Sequence, residues 1–585
     1  MKRLLHYLRK NRKEAILAPL FKMLEASFEL IIPLVVARII DIGINTGDSG
    51  YILKMGGLMI LLGIIGFASS VTAQYFAAKA AVSAGTAMRS DLFAHIQSLS
   101  YREIDAIGTS TLITRMTSDI NQVQNGVNMF LRLFLRSPFV VIGAMVMAYT
   151  VDAHTASAFG VSIPILFCVV FAILLISMPL YKKVQQQLDR ILLSTRENLL
   201  GVRVVRAFNR QKSEMDQFSA SSRELYRRQI YVGKISALLN PLTYVIINLG
   251  ILAILWLGGG QVNIGKLSQG QVIALINYMS QILVELIKLA NLIILLSRAS
   301  ASLNRVNRIF DVTSSLREGS HPLDGSGGEG IPLIAFRNVS FCYGGSREPA
   351  LSEISFEAEA GETIGVIGAT GSGKTTLVNL IPRFYDVSSG AVEVAGRDVR
   401  ELASDSLRTA VGIVPQKAAL FRGTLRENLL WGRKDASDEE LWKALETAQA
   451  KDFVDEKGLG LDLPIEQEGR NLSGGQKQRL TIARALVRNP RILILDDSAS
   501  ALDFATDARL RKAIREHTVG TTVFLVSQRV ATVKQADRIL VMDDGRLAAS
   551  GTHRELLKTS TVYREICESQ LTREEIDKDV QETDC

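Results

Sequence analysis

Six long apolar segments fill the first half of this 585-residue chain and constrain its fold more than any other feature. A helix needs roughly 20 apolar residues to cross a hydrocarbon core about 30 Å thick, and it satisfies its own backbone polar groups there. Each segment is long enough for one crossing, and the approximate spans are 15–40, 52–84, 122–150, 155–181, 233–258 and 270–298. The sequence therefore predicts a membrane domain of six helices over residues 1–312.

Basic residues distinguish the two sides of this predicted membrane domain. The short connections 41–51, 151–154 and 259–269 contain a single basic residue, Lys266, whereas the N-terminal stretch and residues 182–232 are rich in Lys and Arg. Lys and Arg accumulate in cytoplasmic loops. We therefore expect a multi-pass protein of the cell membrane, with its N-terminus and its second half in the cytoplasm. The net charge of +8 then reflects membrane topology, and we expect no nucleic-acid partner.

The long cytoplasmic segments 85–121 and 182–232 have a helical composition, which predicts that the membrane helices extend into the cytoplasm. Ser100–Asp105 and Leu200–Phe208 interrupt that pattern. The opening Leu4–Leu8, flanked by Lys and Arg, predicts a helix that lies at the membrane surface.

The second half of the chain has the composition of a soluble α/β domain. A stretch rich in Ser and Gly predicts a linker at 313–330, followed by the domain at 331–568. The last seventeen residues, 569–585, are polar and acidic, so we expect a solvated tail, with disorder as a further possibility. The cysteines lack the spacing of a disulfide or metal site, which predicts unpaired thiols; they are Cys168, Cys342, Cys567 and Cys585.

A glycine-rich loop in this domain carries the clearest chemical signal. Residues Gly368–Thr375 fit the pattern G-x-x-x-x-G-K-[ST] and lie between a predicted strand, Thr363–Ile367, and a helix. In such a loop backbone amides bind phosphate, Lys374 reaches the β- and γ-phosphates, and a hydroxyl binds Mg²⁺. A glycine turn without nucleotide is the alternative. The predicted cradle for ATP and Mg²⁺ consists of Gly368, Gly371, Ser372, Gly373, Lys374, Thr375 and Thr376.

Further motifs follow this loop in a fixed order. Gln416 follows Val-Pro, Asn471–Gln476 reads Asn-Leu-Ser-Gly-Gly-Gln, an apolar strand ends in Asp496 and Asp497, and Gln528 lies between Ser and Arg. Together these motifs closely resemble the nucleotide-binding domain of ATP-binding cassette (ABC) transporters. The membrane half resembles the exporters of that family, in which both domains share one chain. The resemblance implies a helical membrane domain joined to a cytoplasmic α/β P-loop ATPase domain.

The resemblance also implies roles for residues outside the glycine-rich loop. Tyr343 would stack on adenine, Gln416 would contact Mg²⁺ or the attacking water, and Asp496 and Thr375 would hold Mg²⁺. In this family two domains meet head to tail, and the signature of one closes the nucleotide pocket of the other. The signature residues here are Ser473, Gly474, Gly475 and Gln476. Ser100–Asp105 and Leu200–Phe208 would be coupling helices, and Ser500–Asp503 the loop that joins the two sites.

Two residues depart from the family pattern at positions that matter for hydrolysis. The family has Glu where this chain has Asp497, and His where it has Gln528. Asp is one methylene shorter, so its carboxylate would sit about 1–1.5 Å back from the attacking water, and such a displacement costs on the order of a hundredfold. Glutamine cannot carry a proton as histidine can. Each change alone is compatible with neutral drift. Together they predict a slow or inactive pocket.

Ionisable side chains within the predicted membrane helices leave two interpretations open. Such groups are costly in a bilayer and usually face a cavity or a partner. They either line a polar substrate cavity or pair with one another. The residues concerned are Glu25, Glu29, Arg132, Arg136, Glu285 and Lys288.

A weak pocket beside an intact signature predicts one subunit of a heterodimeric exporter. The expected partners are a second ABC half-transporter that supplies the hydrolytic residues, membrane lipid, and a hydrophobic or amphipathic small-molecule substrate. A lipid or peptide exporter is the nearest alternative. An ATP-gated channel or a regulator without transport is an alternative of a different class. An importer is disfavoured, because importers usually carry the two domains on separate chains.

Overall fold

Membrane-length helices form the first of two compact units in this computed structural model. The structure describes residues 2–323, 331–344, 346, 348–498 and 501–581. Unit 1 comprises Met1–Gln97 and Ser110–Val312, and unit 2 comprises Ser98–Thr109 and Thr313–Cys585. Residues 324–330 of the predicted linker, together with Ser500 and Cys585, lie outside the described residues.

Unit 1 consists of helices joined by short connections. Its helices are Lys2–Lys10, Arg12–Arg38, Ser49–Ser98, Thr109–Thr114, Ile120–Leu133, Arg136–Val151, Ala153–Leu200, Val202–Ala207, Gln211–Ala237, Leu239–Asn263 and Gln269–Phe310, with π-helical turns at Ile39–Ile44 and Arg115–Asp119. The helices continue well past the apolar runs, which confirms that the long cytoplasmic segments are helical. The short helix Val202–Ala207 lies in the second predicted interruption.

By length and composition, five helical stretches in the described part of the chain can cross a membrane. They are Ser49–Ser98, Thr109–Val151, Ala153–Leu200, Gln211–Asn263 and Gln269–Phe310. The first predicted span is also helical, over Arg12–Arg38, but Lys22, Glu25 and Glu29 interrupt its apolar run. The count of six crossings therefore stays a prediction.

The helices Arg12–Arg38 and Gln269–Phe310 pack closely. The buried Tyr278 hydroxyl donates to the Leu30 carbonyl at 2.8 Å. At Gly270 a Cβ would lie 2.3 Å from the Ala37 carbonyl oxygen, so the close approach requires glycine.

The predicted intramembrane charges largely pair with one another. Arg136, which is 6% exposed, donates to Glu29 at 2.6 Å and to Glu285. Lys288 also donates to Glu285, at 2.8 Å, and Glu25 pairs with Lys22, which the sequence analysis did not single out. For Arg132 the buried Nε has no hydrogen-bond partner among the described residues. For the other five residues the contacts support internal pairing over an open polar cavity.

Unit 2 contains the strands β1 (Ile334–Phe341), β2 (Leu351–Ala358), β3 (Thr363–Ile367), β4 (Ser389–Val394), β5 (Arg397–Asp398), β6 (Val411–Val414), β7 (Gly423–Thr424), β8 (Pro464–Ile465), β9 (Ile492–Asp496), β10 (Thr522–Val526), β11 (Arg538–Asp543) and β12 (Arg546–Gly551). They form a six-stranded sheet in the order β12-β11-β3-β10-β9-β6, a four-stranded sheet in the order β2-β1-β4-β5, and the pair β7-β8. In the larger sheet only β12 is antiparallel to its neighbour.

Helices and the smaller sheet cover this larger sheet, so its apolar parallel strands are buried. The helices of unit 2 are Tyr101–Ile107, Lys374–Leu380, Ser404–Ala410, Leu425–Leu430, Asp438–Thr447, Lys451–Glu456, Gly474–Val487, Phe504–His517, Val530–Val533, His553–Thr559, Thr561–Glu568 and Arg573–Gln581. Single 3₁₀ turns occupy Gly460–Asp462 and Gln467–Gly469. Tyr101–Ile107 lies in the first predicted interruption, and Ser100 caps its start.

The described part of the predicted polar tail after residue 568 is helical, and most of its residues are exposed. Arg573–Gln581 is a helix, and Asp579 accepts a hydrogen bond from the buried His553 at 3.1 Å. This polar contact and the partly buried Ile576, which packs against the apolar core, attach the helix to the domain.

Candidate nucleotide-binding site

The carboxyl ends of four adjacent parallel strands place the predicted pocket residues side by side. The glycine-rich loop follows β3, Gln528 follows β10, Asp496 ends β9 and Gln416 follows β6. Ligands of open α/β sheets bind at this edge. A cavity of about 300 Å³ opens there, lined by Tyr343, Ala350, Thr370, Gly371, Gly373, Lys374, Thr375, Thr376, Gln416, Asp496, Asp497, Val526 and Gln528.

Most of the predicted pocket residues therefore line one cavity. Gly368 and Ser372 belong to the same loop without lining it. Three lining residues were not foreseen, namely Ala350, Thr370 and Val526. Thr370 lay within the quoted motif, where its hydroxyl was a signal for a polar contact.

The glycines let the loop close tightly around the phosphate position. Gly371 and Gly373 have φ angles of +87° and +93°, which favour glycine. A Cβ on Gly373 would also lie 2.8 Å from the Ala350 carbonyl oxygen. The loop therefore presents backbone in place of side chains to the cavity.

Lys374 is the cation of this loop. Its Nζ donates to the carbonyl oxygens of Gly368 at 2.8 Å and Ala369 at 2.6 Å. Burial lowers the pKa of its ammonium group, because the charged form loses hydration. These contacts hold a positive charge within the loop that would receive the phosphates.

Asp496 and Thr375 are suited to hold Mg²⁺ together with phosphate oxygens. The Thr375 hydroxyl donates to Asp496 Oδ1 at 3.0 Å, and both residues line the cavity. Asp496 is 4% exposed, and burial raises the pKa of its carboxyl group, so a nearby cation would stabilise the charged form. Mg²⁺ is commonly bound by one or two carboxylates plus substrate phosphates. The described residues contain no all-protein metal cage.

The two residues that depart from the family pattern both lie in this cavity. Asp497 accepts from Gln416 Nε2 at 3.3 Å. Its backbone has a φ of +45°, and its N–H donates to the Val526 carbonyl at 2.9 Å, which fixes where its side chain begins. Gln528 Oε1 accepts from the Thr370 hydroxyl at 3.3 Å. The cavity thus combines a complete phosphate cradle with a short carboxylate and a neutral amide.

Tyr343 lies at one end of the cavity and is 38% exposed. Its hydroxyl is 3.1 Å from Thr376 Oγ1, and its ring meets the edge of the Tyr385 ring at 5.4 Å between centroids. The Tyr385 hydroxyl donates to Asp105 at 2.7 Å. Burial raises the pKa of the Tyr385 hydroxyl, and the hydrogen bond to Asp105 raises it further. Tyr385 and Tyr343 therefore connect the short helix that contains Asp105 to the predicted adenine position. Tyr385 was not foreseen.

The signature residues do not line the cavity of their own chain. Ser473 caps the helix that begins at Gly474, and its hydroxyl accepts from the Gln476 backbone N–H at 3.3 Å. Ser473 and Gly474 are exposed. A Cβ at Gly475 would lie 3.0 Å from the Ala501 carbonyl oxygen. The signature is thus preformed at the surface, and of the predicted loop that follows, only Ala501–Asp503 is described.

Comparison with protein families matches both halves of the chain. Residues 15–286 match the ABC transporter transmembrane region, and residues 351–500 match the ABC transporter family model.

Individual relatives match over almost the full length. The uncharacterized ABC transporter ATP-binding protein YfiB of Bacillus subtilis is 37% identical, over 98% of this chain and 99% of its own length. The ATP-dependent lipid A-core flippase of Photobacterium profundum is 31% identical, over 90% of this chain and 89% of its own length. A solved structure of a bacterial Atm1-family ABC exporter with ATP bound superposes with a TM-score of 0.77 at 25% identity, covering 96% of this chain and 99% of that one.

Proposed function

The chain belongs to the ABC transporters, as an exporter-type half-transporter with fused membrane and ATPase domains, and we propose that it is the catalytically weak subunit of a heterodimer. It is a multi-pass membrane protein with a cytoplasmic nucleotide-binding domain. Half-transporters of this fold generally work as dimers. The proposal is that the second subunit is a different chain, with the hydrolytic residues that this one lacks.

One observation carries the proposal: Asp497 and Gln528 face the same cavity as Lys374. Lys374, Thr375 and the loop glycines are retained, so the pocket keeps its means of binding ATP and Mg²⁺. Mg²⁺ would neutralise phosphate charge there. Asp497 is too short to hold an attacking water where the family's Glu holds it, and Gln528 cannot accept a proton. The pocket therefore binds ATP and hydrolyses it slowly.

The intact signature supports the second part of the proposal. Ser473 and the backbone amides of Gly474 and Gly475 lie at an exposed, capped helix start and do not contribute to their own cavity. Donors placed in advance around developing charge supply a large share of catalysis. This chain thus contributes donors to the ATP held by its partner, and hydrolysis occurs mainly at that site.

The internal pairing of the membrane charges supports a hydrophobic or amphipathic substrate. Glu29, Arg136, Glu285 and Lys288 neutralise one another within the protein. They therefore offer little unpaired charge to an ionic substrate. Drug-like compounds are the first candidates. Lipid is the second, because the chain resembles a lipid A-core flippase.

Transport by the assembled complex tests this function. The chain is co-purified with its partner, reconstituted into inside-out vesicles, and screened for compounds that stimulate ATPase activity. We expect ATP-dependent accumulation of a hydrophobic compound, or of a fluorescent lipid, against its gradient. Movement that only dissipates a gradient would contradict an exporter and indicate a channel.

A further inference from the structure

The C-terminal segment reaches back to the nucleotide pocket through one side chain, Gln570. Its Nε2 donates to the backbone carbonyl of Gln528 at 2.8 Å, and its Oε1 accepts from the backbone N–H of Val530 at 2.9 Å. A single primary amide therefore bridges the main chain on both sides of Arg529. Val530 is buried, so its N–H needs a partner within the protein, and Gln570 supplies it. Gln528 is exposed, and the second hydrogen bond fixes the course of the loop on that side.

Gln570 is itself held from behind. Its backbone N–H donates to the Cys567 carbonyl at 3.0 Å, at the end of a helix whose Cys567 and Tyr563 are fully buried. The helix that follows Gln570 is attached through His553, which contacts Tyr563 at 2.7 Å and Asp579 at 3.1 Å. The bridging amide thus projects from an ordered base.

The Gln528 side chain links this bridge to the phosphate loop. The side-chain oxygen Oε1 of Gln528 accepts from the Thr370 hydroxyl at 3.3 Å, and both residues line the cavity. With the oxygen engaged, the NH₂ group remains to donate toward the terminal phosphate of a bound nucleotide. ATP has that phosphate and ADP lacks it.

We propose that Gln570 is a positioning residue that sets the preference of this pocket for ATP over ADP. It does so by holding the loop so that the Gln528 amide reaches the γ-phosphate. The inference rests on the proposed function only in that this pocket binds ATP. It assigns a role in the nucleotide pocket to a segment beyond the family motifs.

Nucleotide selectivity of the full-length chain in nanodiscs tests the proposal. Affinity for ADP and for a non-hydrolysable β,γ-imido ATP analogue is measured with Mg²⁺ by competition against a fluorescent nucleotide. Gln570→Met keeps the side-chain length and removes both hydrogen bonds. We expect a loss of about tenfold in affinity for the triphosphate, the size of one hydrogen bond to a charged group, and unchanged affinity for ADP.

Four further variants separate positioning from stability. Gln528→Ala should lose the same selectivity, and the double variant should lose no more than either single one, because both act through one contact. Gln570→Glu should also lose selectivity, since a carboxylate cannot donate a hydrogen bond to the backbone carbonyl of Gln528. Thr572→Ala is the matched control: it removes the side-chain cap of the last helix and leaves Gln570 intact, so selectivity should be retained.

Specific outcomes overturn the inference. The inference fails if Gln570→Met or Gln570→Glu keeps the preference for the triphosphate over ADP. It also fails if the losses of that preference add in the double variant, or if Thr572→Ala loses as much of it. Hydrolysis does not enter the measurement. Rapid ATP turnover by the chain would therefore contradict the proposed function, whereas the measured preference for the triphosphate over ADP would still test the role of Gln570.

Discussion

Lengthening the Asp497 side chain by one methylene should restore hydrolysis to this pocket. The side chain starts from a fixed point, because its backbone N–H donates to the Val526 carbonyl at 2.9 Å. The carboxylate already lies in the cavity and accepts from Gln416 at 3.3 Å. In Asp497→Glu one extra C–C bond carries the carboxylate outward by about 1.5 Å.

That distance sets the size of the effect. Misplacement of a catalytic group by about 1 Å can cost roughly a hundredfold in rate. We therefore expect Asp497→Glu to raise phosphate release from this pocket by roughly 10- to 100-fold. Adding Gln528→His should raise it further, since an imidazole can carry the charge that the amide cannot.

Phosphate release is measured in the assembled complex with the partner's own phosphate-loop lysine replaced, so that only this pocket contributes. Asp497→Asn is the matched control: it leaves the side-chain length unchanged and removes the charge, so it should give no gain. The reasoning would be refuted if Asp497→Glu released phosphate no faster than Asp497→Asn while both bound ATP equally well.

Three further predictions concern the unmodified pocket, the signature and the membrane charges. In the otherwise unmodified complex, Asp497→Asn should change steady-state ATPase activity only modestly, and loss of nearly all turnover would show that this pocket is catalytic. Ser473→Ala should lower activity by about 10²–10³, the cost of one lost transition-state donor, whereas Lys374→Ala should leave part of it; the reverse order, measured in the same complex, would exchange the strong and weak sites. Arg136→Met should destabilise the membrane unit by about 1.5–3 kcal/mol, because the buried Glu285 loses a charged hydrogen-bond partner and keeps Lys288; an unchanged thermal midpoint in detergent would contradict that role.

The pocket could be predicted because its chemistry is written in local motifs. Each motif follows an apolar strand, and parallel strands present their carboxyl ends at one edge of a sheet. The order β3-β10-β9-β6 is a different matter. It depends on pairing between segments far apart in sequence, which local motifs do not specify.

The C-terminal helix could not be predicted from composition. Arg573–Gln581 is strongly polar, and Gln570 and Asp579 attach this segment through hydrogen bonds to distant residues, beside the packing of Leu571 and Ile576 on the core. The ion pair of Glu25 could have been predicted from the sequence. Lys22 lies three residues before it on the same helix, a spacing that brings side chains together.

The fate of bound nucleotide distinguishes a pocket that retains ATP from one that hydrolyses it. The purified complex is allowed to turn over radiolabelled ATP, free nucleotide is removed, and the bound nucleotide is identified by chromatography. The account predicts that part of the bound nucleotide is unhydrolysed ATP, and that Lys374→Ala eliminates this part while turnover continues at the other site. Bound nucleotide recovered entirely as ADP from the unmodified complex would contradict it.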